Sequence, residues 1–499
     1  MSDPEEPPSY ATWVPPVYDM NSRPRQLYST HLPQSQANTE GTDDPYIFAR
    51  MAKWCPDGSV ALAQCEDRSF SPPELLGVSI DATASTSLPK SLTQSSPILD
   101  YAWYPTASPR DPASFCFVAS VRECPVKLLD ASDGRLRASY RIVDHRERQV
   151  APHSVAFNVG ANKLYCGFED AIEVFDIHRP GEGTRLRTTP SKKSRDGLKG
   201  EFSRTSPRLR AQTYSVRCLS AGIVSALAFA PDVSSDLYAA GSFSPSSPSS
   251  SNIAIFSEAN GDVPIMFVGA EDRQPGGGAG YGVRASVSQL MFNPARPFLL
   301  FASFRRVDEI YCWDLRGDVS RPVEVFSTHP TLPIRNLTNQ RLRFDLDFGG
   351  NWLAVGEEGG GVSVFDLAVP NSTVGGKGQE SGPPSSPMST PPTMPTLRYD
   401  AHGDAVGSVA FHPLRPLLLS VSGSRHFDHV DVASRVSSDS STSDSEGDLE
   451  GHTECPPTRR STHAVKRSRN KPQPVALDTT IKLWGFGQEA SSGGQERGE

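Results

Sequence analysis

The amino-acid sequence predicts an all-β fold, a closed ring of repeated small sheets, and three observations carry that expectation. Short runs of four to seven β-branched and aromatic residues recur along the 499 residues, and no amphipathic helix of ten or more residues stands out. The runs share one order: an apolar strand, a Pro or Asn turn, a strand ending in Gly or Ser, a break, then a strand ending in an aromatic residue and Asp. Much of the 40 Gly and 44 Pro lies between these units in polar stretches, which bury too little apolar surface to offset the entropy of ordering them.

Taken in order, the units begin with KWCPDGSVALAQC at 53–65, then YAWYP at 101–105 with FCFVASVRECPVKLLD ending at 130. SVAFNVGANKLYCGFEDAIEVFDI follows at 154–177, then SALAFAPDVSSDLYAAGSF with NIAIFS ending at 257. The next are SQLMFNPARPFLLFASFRRVDEIYCWDL at 288–315 and LRFDLDFGGNWLAVGEEGGGVSVFDL at 342–367. The last unit starts at VAFHPLRPLLLSVSG, 409–423, and finishes after a long insertion in TTIKLWGF at 479–486. This is the pattern of WD40 repeats, so a single seven-bladed β-propeller with long disordered loop insertions is expected over 44–486. Trp313-Asp314 is a true Trp-Asp pair, Phe175-Asp176 and Phe365-Asp366 are variants, and Leu129-Asp130 is weaker; His402 stands at the usual Gly-His position. Insertions are expected near 177–212, 243–251, 271–280, 370–396 and 429–474, and a disordered tail over 487–499. Residues 1–43 are polar and Pro-rich, but 13–32 holds the only early apolar and aromatic material. It is the candidate for a strand that closes the last blade. A β-sandwich with further domains is the competing architecture.

Composition narrows the class. The net charge is -8, from 49 Lys plus Arg against 57 Asp plus Glu, which argues against a globally basic coat but not against a local basic face. No 18-residue apolar run occurs, and MSDPEEPPSYATW lacks the basic and apolar regions of a secretory leader. Neither membrane insertion nor secretion is expected. Eight Cys scattered mostly in strand-like runs read as buried thiols rather than a disulfide framework.

No nucleophilic triad motif, phosphate loop or nucleotide fingerprint is present. GGGAG at 276–280 lacks the Lys-Ser/Thr that phosphate cradling needs, and His145, His153 and His178 are too dispersed for a metal site. No enzyme, cofactor or metal is expected. Binding determinants are more plausible, and they are cationic. They comprise Arg137, Arg141, His145, Arg146 and Arg148 in RLRASYRIVDHRERQVAPHS, Arg305 and Arg306 beside Asp308, Arg316 after the Trp-Asp pair, Arg335, and Asn339-Gln340-Arg341 with Arg343. Arginine suits phosphate, and Asn and Gln suit base edges; solvated rim residues or local ion pairs are the structural alternative. The insertion 429–474 is acidic and Ser-rich over 437–451, suited to phosphorylation. It then carries Arg459, Arg460, Lys466, Arg467, Arg469 and Lys471, a split basic patch like a nuclear import signal.

Several stretches go beyond a generic repeat: KWCPDGS, DYAWYP, VKLLDASDGRLRASYR, TNQRLRFDLDFGGNWLAVGEEGGGVSVFDL and VAFHPLRPLLLSVSG before an acidic insertion. In these the chain resembles the telomerase Cajal body protein 1 family, WD-repeat proteins that bind small Cajal body RNA, with yeast splicing-associated relatives. The resemblance covers roughly 44–486. It implies a nuclear, non-catalytic, monomeric propeller, in Cajal body-like foci with some cytoplasmic pool. The implied partners are a small Cajal body-like RNA, telomerase RNA or spliceosomal small nuclear RNA, together with ribonucleoprotein proteins and no membrane. The alternative is a protein scaffold in spliceosomal assembly without direct RNA contact. Carried across to this sequence, the turn Asn339, Gln340 and Arg341 is the first RNA candidate; Arg316, Arg135, Arg137 and Arg141 are looser ones. The Ser/Pro-rich insertions point to a fungal member.

Overall fold

The structure, a computed structural model, describes residues 14–32, 47–72, 91–169, 171–187, 223–232, 234–243, 252–269, 285–328, 339–368, 392–427 and 474–487. The split basic patch at 459–471 and most of the acidic insertion lie outside the described residues. Among those described there are seven four-stranded antiparallel sheets, one small extra hairpin and no helix. The sheets are the blades of a β-propeller. Their first strands are Ala49–Trp54, Ile98–Trp103, Ser154–Phe157, Val224–Phe229, Val287–Phe292, Phe344–Leu346 and Val406–Phe411, and these line the centre of the ring.

A single blade is apolar on both faces, so it must stack to be stable. Seven clusters of buried side chains do this, one at each interface between neighbouring blades. Between blades 1 and 2, Phe70 sits edge-on to Tyr101 at 5.3 Å and to Phe117 at 5.0 Å. Each fully buried side chain of this size contributes about 1.5–3 kcal/mol.

Nearer the axis, polar bonds cross every interface. Gln64 donates to the Ile98 carbonyl (2.9 Å), and Asp100 accepts from the Val155 N–H (3.0 Å). The hydroxyls of Ser154 and Ser225 donate to the carbonyls of Val224 (3.0 Å) and Val287 (2.7 Å). Gln289 bonds both backbone groups of Phe344, Asp345 accepts from the Phe411 N–H (2.7 Å), and the Ala52 N–H donates to Ser408 (3.0 Å). Inner strands are thus held in register around the whole ring.

Blade 7 joins both ends of the chain. Its strands are Val406–Phe411, Leu417–Ser422, Thr480–Gly485 and, outermost, Arg25–His31. The N-terminal strand pairs antiparallel with Thr480–Gly485, from Arg25 opposite Gly485 to His31 opposite Thr480. Tyr18 and Met20 pack with blades 6 and 7. A hydrogen-bonded chain fixes this blade internally. Trp484 Nε1 donates to Ser420 Oγ (2.8 Å), Ser420 meets His402 Nε2 (2.7 Å), and His402 Nδ1 meets Thr480 Oγ1 (3.0 Å). The Thr480 hydroxyl in turn donates to Asp478 (2.6 Å). His402 is therefore a structural group, and burial holds its imidazole below its usual range. The stretch 177–212, expected as an insertion, starts with ordered chain: Thr184–Arg187 is the fourth strand of blade 3, held by Arg185 against Glu173 at 2.7 Å. Its polar sequence TRLR gave no apolar run to reveal it.

Candidate nucleic-acid interface

Five first strands begin with a register shift in which one residue is unpaired with the neighbouring strand: Arg50, Leu99, Ser225, Ser288 and Gly407. A bulge at a strand end re-aims its side chain. Here Arg50 and Leu99 turn into a cavity of about 750 Å³ at the end of the ring where the first strands start. The residues that line it include Arg50, Arg122, Arg305, Arg341, Arg343 and Arg425, and no Asp or Glu.

Apart from Arg50, which sits at the bulge of its strand, each arginine is delivered by a specific loop. Arg122, Arg305 and Arg425 follow the second strands of blades 2, 5 and 7. Arg341 and Arg343 belong to the turn that leads into blade 6. That turn is strapped down on both sides. The Arg343 N–H donates to the Gly407 carbonyl (3.0 Å), Arg305 donates to the Asn339 carbonyl (3.3 Å) and Arg306 Nε to Asn339 Oδ1 (2.7 Å). Gly407 is needed for this close approach: a Cβ there would stand 2.6 Å from Gln340 Nε2 and 2.7 Å from the Arg50 carbonyl.

Charge in the cavity is only partly balanced. Arg50 and Arg425 both bond Glu66, and Arg343 lies 3.8 Å from Asp100. Among the described residues, Arg341 and Arg122 have no carboxylate partner; Arg341 lies over the Phe243 ring at 5.6 Å, beside Arg305 at 5.4 Å. Burial pushes the Arg341 guanidinium down to about 10, reinforced by Arg343, Arg305 and Arg50 against the opposing pull of Asp100. Burial also lowers the imidazole of His153, with Arg341 and Arg122 adding to it. A cluster of cations whose proton affinities are depressed by one another is relieved by an anion. Aromatic surface adjoins the charge: Phe427 is 54% exposed at the rim.

Of the residues singled out in the sequence, Asn339, Gln340 and Arg341 line this cavity, and Arg316, Arg135, Arg137 and Arg141 do not. Arg137 is spent on structure. Its guanidinium holds Asp130 at 2.7 Å and the carbonyls of Pro112, Ala113 and Phe115. Arg135 bonds Asp130 at 3.2 Å, Arg316 pairs with Asp314 at 2.7 Å and covers Phe298 at 3.4 Å, and Arg141 is exposed at the end of blade 2's outer strand. Arg50, Arg122, His153 and Arg425 were missed. A signal existed for two of them. Once the repeats are aligned, an arginine recurs just past the second strand in SVR, SFR and SGSR.

The cavity continues into the central channel, where Lys53, Asp100, Arg343 and Asp345 face one another. Lys53 lies 3.7 Å from Asp100. Burial raises the Asp345 carboxyl to about 7, despite the N–H groups of Phe411 and Leu346 that it accepts from. At the far end of the channel stand Pro56, Pro294, Phe348 and Pro413. No group of three His, Cys, Asp or Glu among the described residues could hold a metal ion.

No family model matches the chain. Comparison with curated proteins finds 30% identity over 423 residues with telomerase Cajal body protein 1 of Bos taurus, covering 84% of this chain and 64% of that one. The Rattus norvegicus protein of the same name is 31% identical over 385 residues, 76% of this chain and 59% of that one. A shorter match, 31% over 139 residues, covers 27% of this chain and 35% of guanine nucleotide-binding protein negative regulator 1 of Schizosaccharomyces pombe. The chain thus spans about three fifths of the length of the mammalian relatives. Over most of its own length the chain is similar to the telomerase Cajal body protein 1 of these mammals.

Proposed function

We propose that this chain is a non-catalytic, monomeric RNA-binding propeller that serves the biogenesis and localisation of small nuclear, small Cajal body or telomerase ribonucleoproteins. The observation that carries the reading is the cavity with six arginines and no carboxylate among its lining residues. Phosphate is the anion such a set suits, and the adjoining Phe427 offers a face for an unstacked base. The names of the relatives supply the ribonucleoprotein context, and with it a nuclear location in Cajal body-like foci. The basic patch from Arg459 to Lys471 suits nuclear import. RNA and ribonucleoprotein proteins are the expected partners.

Crosslinking with RNA sequencing in cells that express the protein tests this. Enrichment of a small nuclear, small Cajal body-like or telomerase RNA, lost in Arg341→Ala, is the expected result. No enrichment of any such RNA overturns it.

A second reading, a protein scaffold in spliceosomal assembly, draws on the opposite end of the ring. There Phe348 and Leu414 are 55% and 51% exposed, apolar surface that suits a protein partner. Partners that stay bound after nuclease treatment would favour it.

A further inference from the structure

Asp345 stands in the central channel without a cation of its own. It lies on the first strand of blade 6, lines the channel cavity of about 420 Å³ and is partly exposed to it. Its bonds come from two backbone N–H groups, that of Phe411 at 2.7 Å and that of Leu346. Among the described residues no Lys or Arg pairs with it. The two cations of the channel are committed to Asp100 instead. Lys53 lies 3.7 Å and Arg343 3.8 Å from that carboxylate, and Lys53 also donates to the Tyr101 carbonyl. Repulsion by Asp347 outweighs the pull of Lys53 on Asp345. A carboxyl so placed gains from an arriving positive charge.

The approach to Asp345 suits a cation on an apolar stem. The turns that follow the first strands of blades 5, 6, 7 and 1, which are consecutive around the ring, place Pro294, Phe348, Pro413 and Pro56 at the lower mouth of the same cavity. Phe348 is 55% exposed, and Leu414 beside Pro413 is 51% exposed. A guanidinium is planar and weakly hydrated; it stacks on an aromatic face and donates strong charge-assisted bonds to a carboxylate. An ammonium ion is more strongly hydrated and fits such a slot less well. We infer that the lower mouth of the channel takes an arginine side chain of a protein partner, with Asp345 as its counter-ion, Phe348 as the ring it crosses and the prolines against its methylenes. Leu414, outside the mouth, meets an apolar neighbour of that arginine. A volume of about 420 Å³ lies within the range of small-molecule pockets, about 300–1,000 Å³; it admits a side chain and excludes a folded segment. The site lies at the opposite end of the ring from the six arginines and does not rest on the RNA reading.

The test is fluorescence anisotropy on the full chain with a short fluorescein-labelled peptide that carries one arginine flanked by leucines. Its counterparts hold lysine, the uncharged isostere citrulline, or leucine in place of the arginine. The arginine peptide should bind about tenfold tighter than the citrulline and leucine peptides, with the lysine peptide between them. Asp345→Asn, with its fold checked by melting, should bring the arginine and citrulline peptides level. Phe348→Ala, a change at an exposed position, should weaken the arginine peptide about three- to fivefold. No RNA is present in the assay, so its outcome is independent of the RNA reading. Failure of the arginine peptide to bind, equal binding of the arginine and citrulline peptides, or a preference for arginine that survives Asp345→Asn would each overturn the inference.

Discussion

Arg137→Ala separates structural arginines from ligand-binding ones. Asp130 has a side chain only 3% exposed and accepts from Arg137 Nε (3.0 Å) and Nη2 (2.7 Å), from Arg135 Nε (3.2 Å) and from Ser132. Removing Arg137 leaves the carboxylate with the largely exposed Arg135 and the Ser132 donors, and frees three carbonyls of the turn at 112–115. Breaking a buried pair from one side costs about 3–5 kcal/mol; the remaining donors put the expected loss at about 3 kcal/mol. Burial alone would raise the Asp130 carboxyl, but bonds from Ser132 and Arg137 outweigh it and hold it at about 2. A depressed carboxyl stabilises the fold above its unfolded pKa of about 4 and loses that contribution as pH falls toward 2. The variant should therefore melt several degrees lower at pH 7, with the gap closing below pH 4. Calorimetry at several pH values measures this, and anisotropy should show RNA affinity unchanged. A variant with parental melting and weakened RNA binding would refute the assignment and return Arg137 to the interface.

Other predictions follow from single contacts. Removing residues 1–32 strips the outer strand of blade 7 and the buried Tyr18, Met20 and Leu32; this chain should lose cooperative melting, whereas removing residues 1–13 leaves every described contact in place and should not. Asp345 holds its proton up to about pH 7 in the fold and to about pH 4 when unfolded, so its contribution is present below pH 4 and lost as pH rises to 7. Asp345→Asn should accordingly gain about 2–3 kcal/mol on the parent between pH 5 and pH 8, read as a growing difference in melting temperature. Gly407→Ala forces a Cβ into Gln340 and the Arg50 carbonyl. It should cost about 1–3 kcal/mol and weaken RNA binding by displacing the turn at 339–343, measured by melting and anisotropy together.

The ring was legible in the sequence because each blade repeats the same two burial constraints. Inner strands alternate over apolar positions such as Val409 and Phe411, and third strands end in an aromatic residue with Asp, as at Trp313-Asp314. What carried no such signal was geometry between blades. Arg122 and Arg341 are 219 positions apart in sequence numbering, yet line one cavity; no local pattern ties them. Arg137 and Arg341 look alike in sequence, each beside strand residues. Only the structure shows that Asp130 consumes one and that no carboxylate among the described residues consumes the other.

The most direct test of the cationic cavity is the salt dependence of its affinity for single-stranded RNA, in the full chain and in the Arg122→Ala and Arg341→Ala double variant. Each phosphate contact to a single strand contributes about 0.7 to the slope of log affinity against log salt concentration. Loss of two should flatten the slope by about 1.4 while melting stays within a few degrees of the parent. An unchanged slope and affinity in a folded double variant would contradict the assignment of RNA binding to this end of the ring.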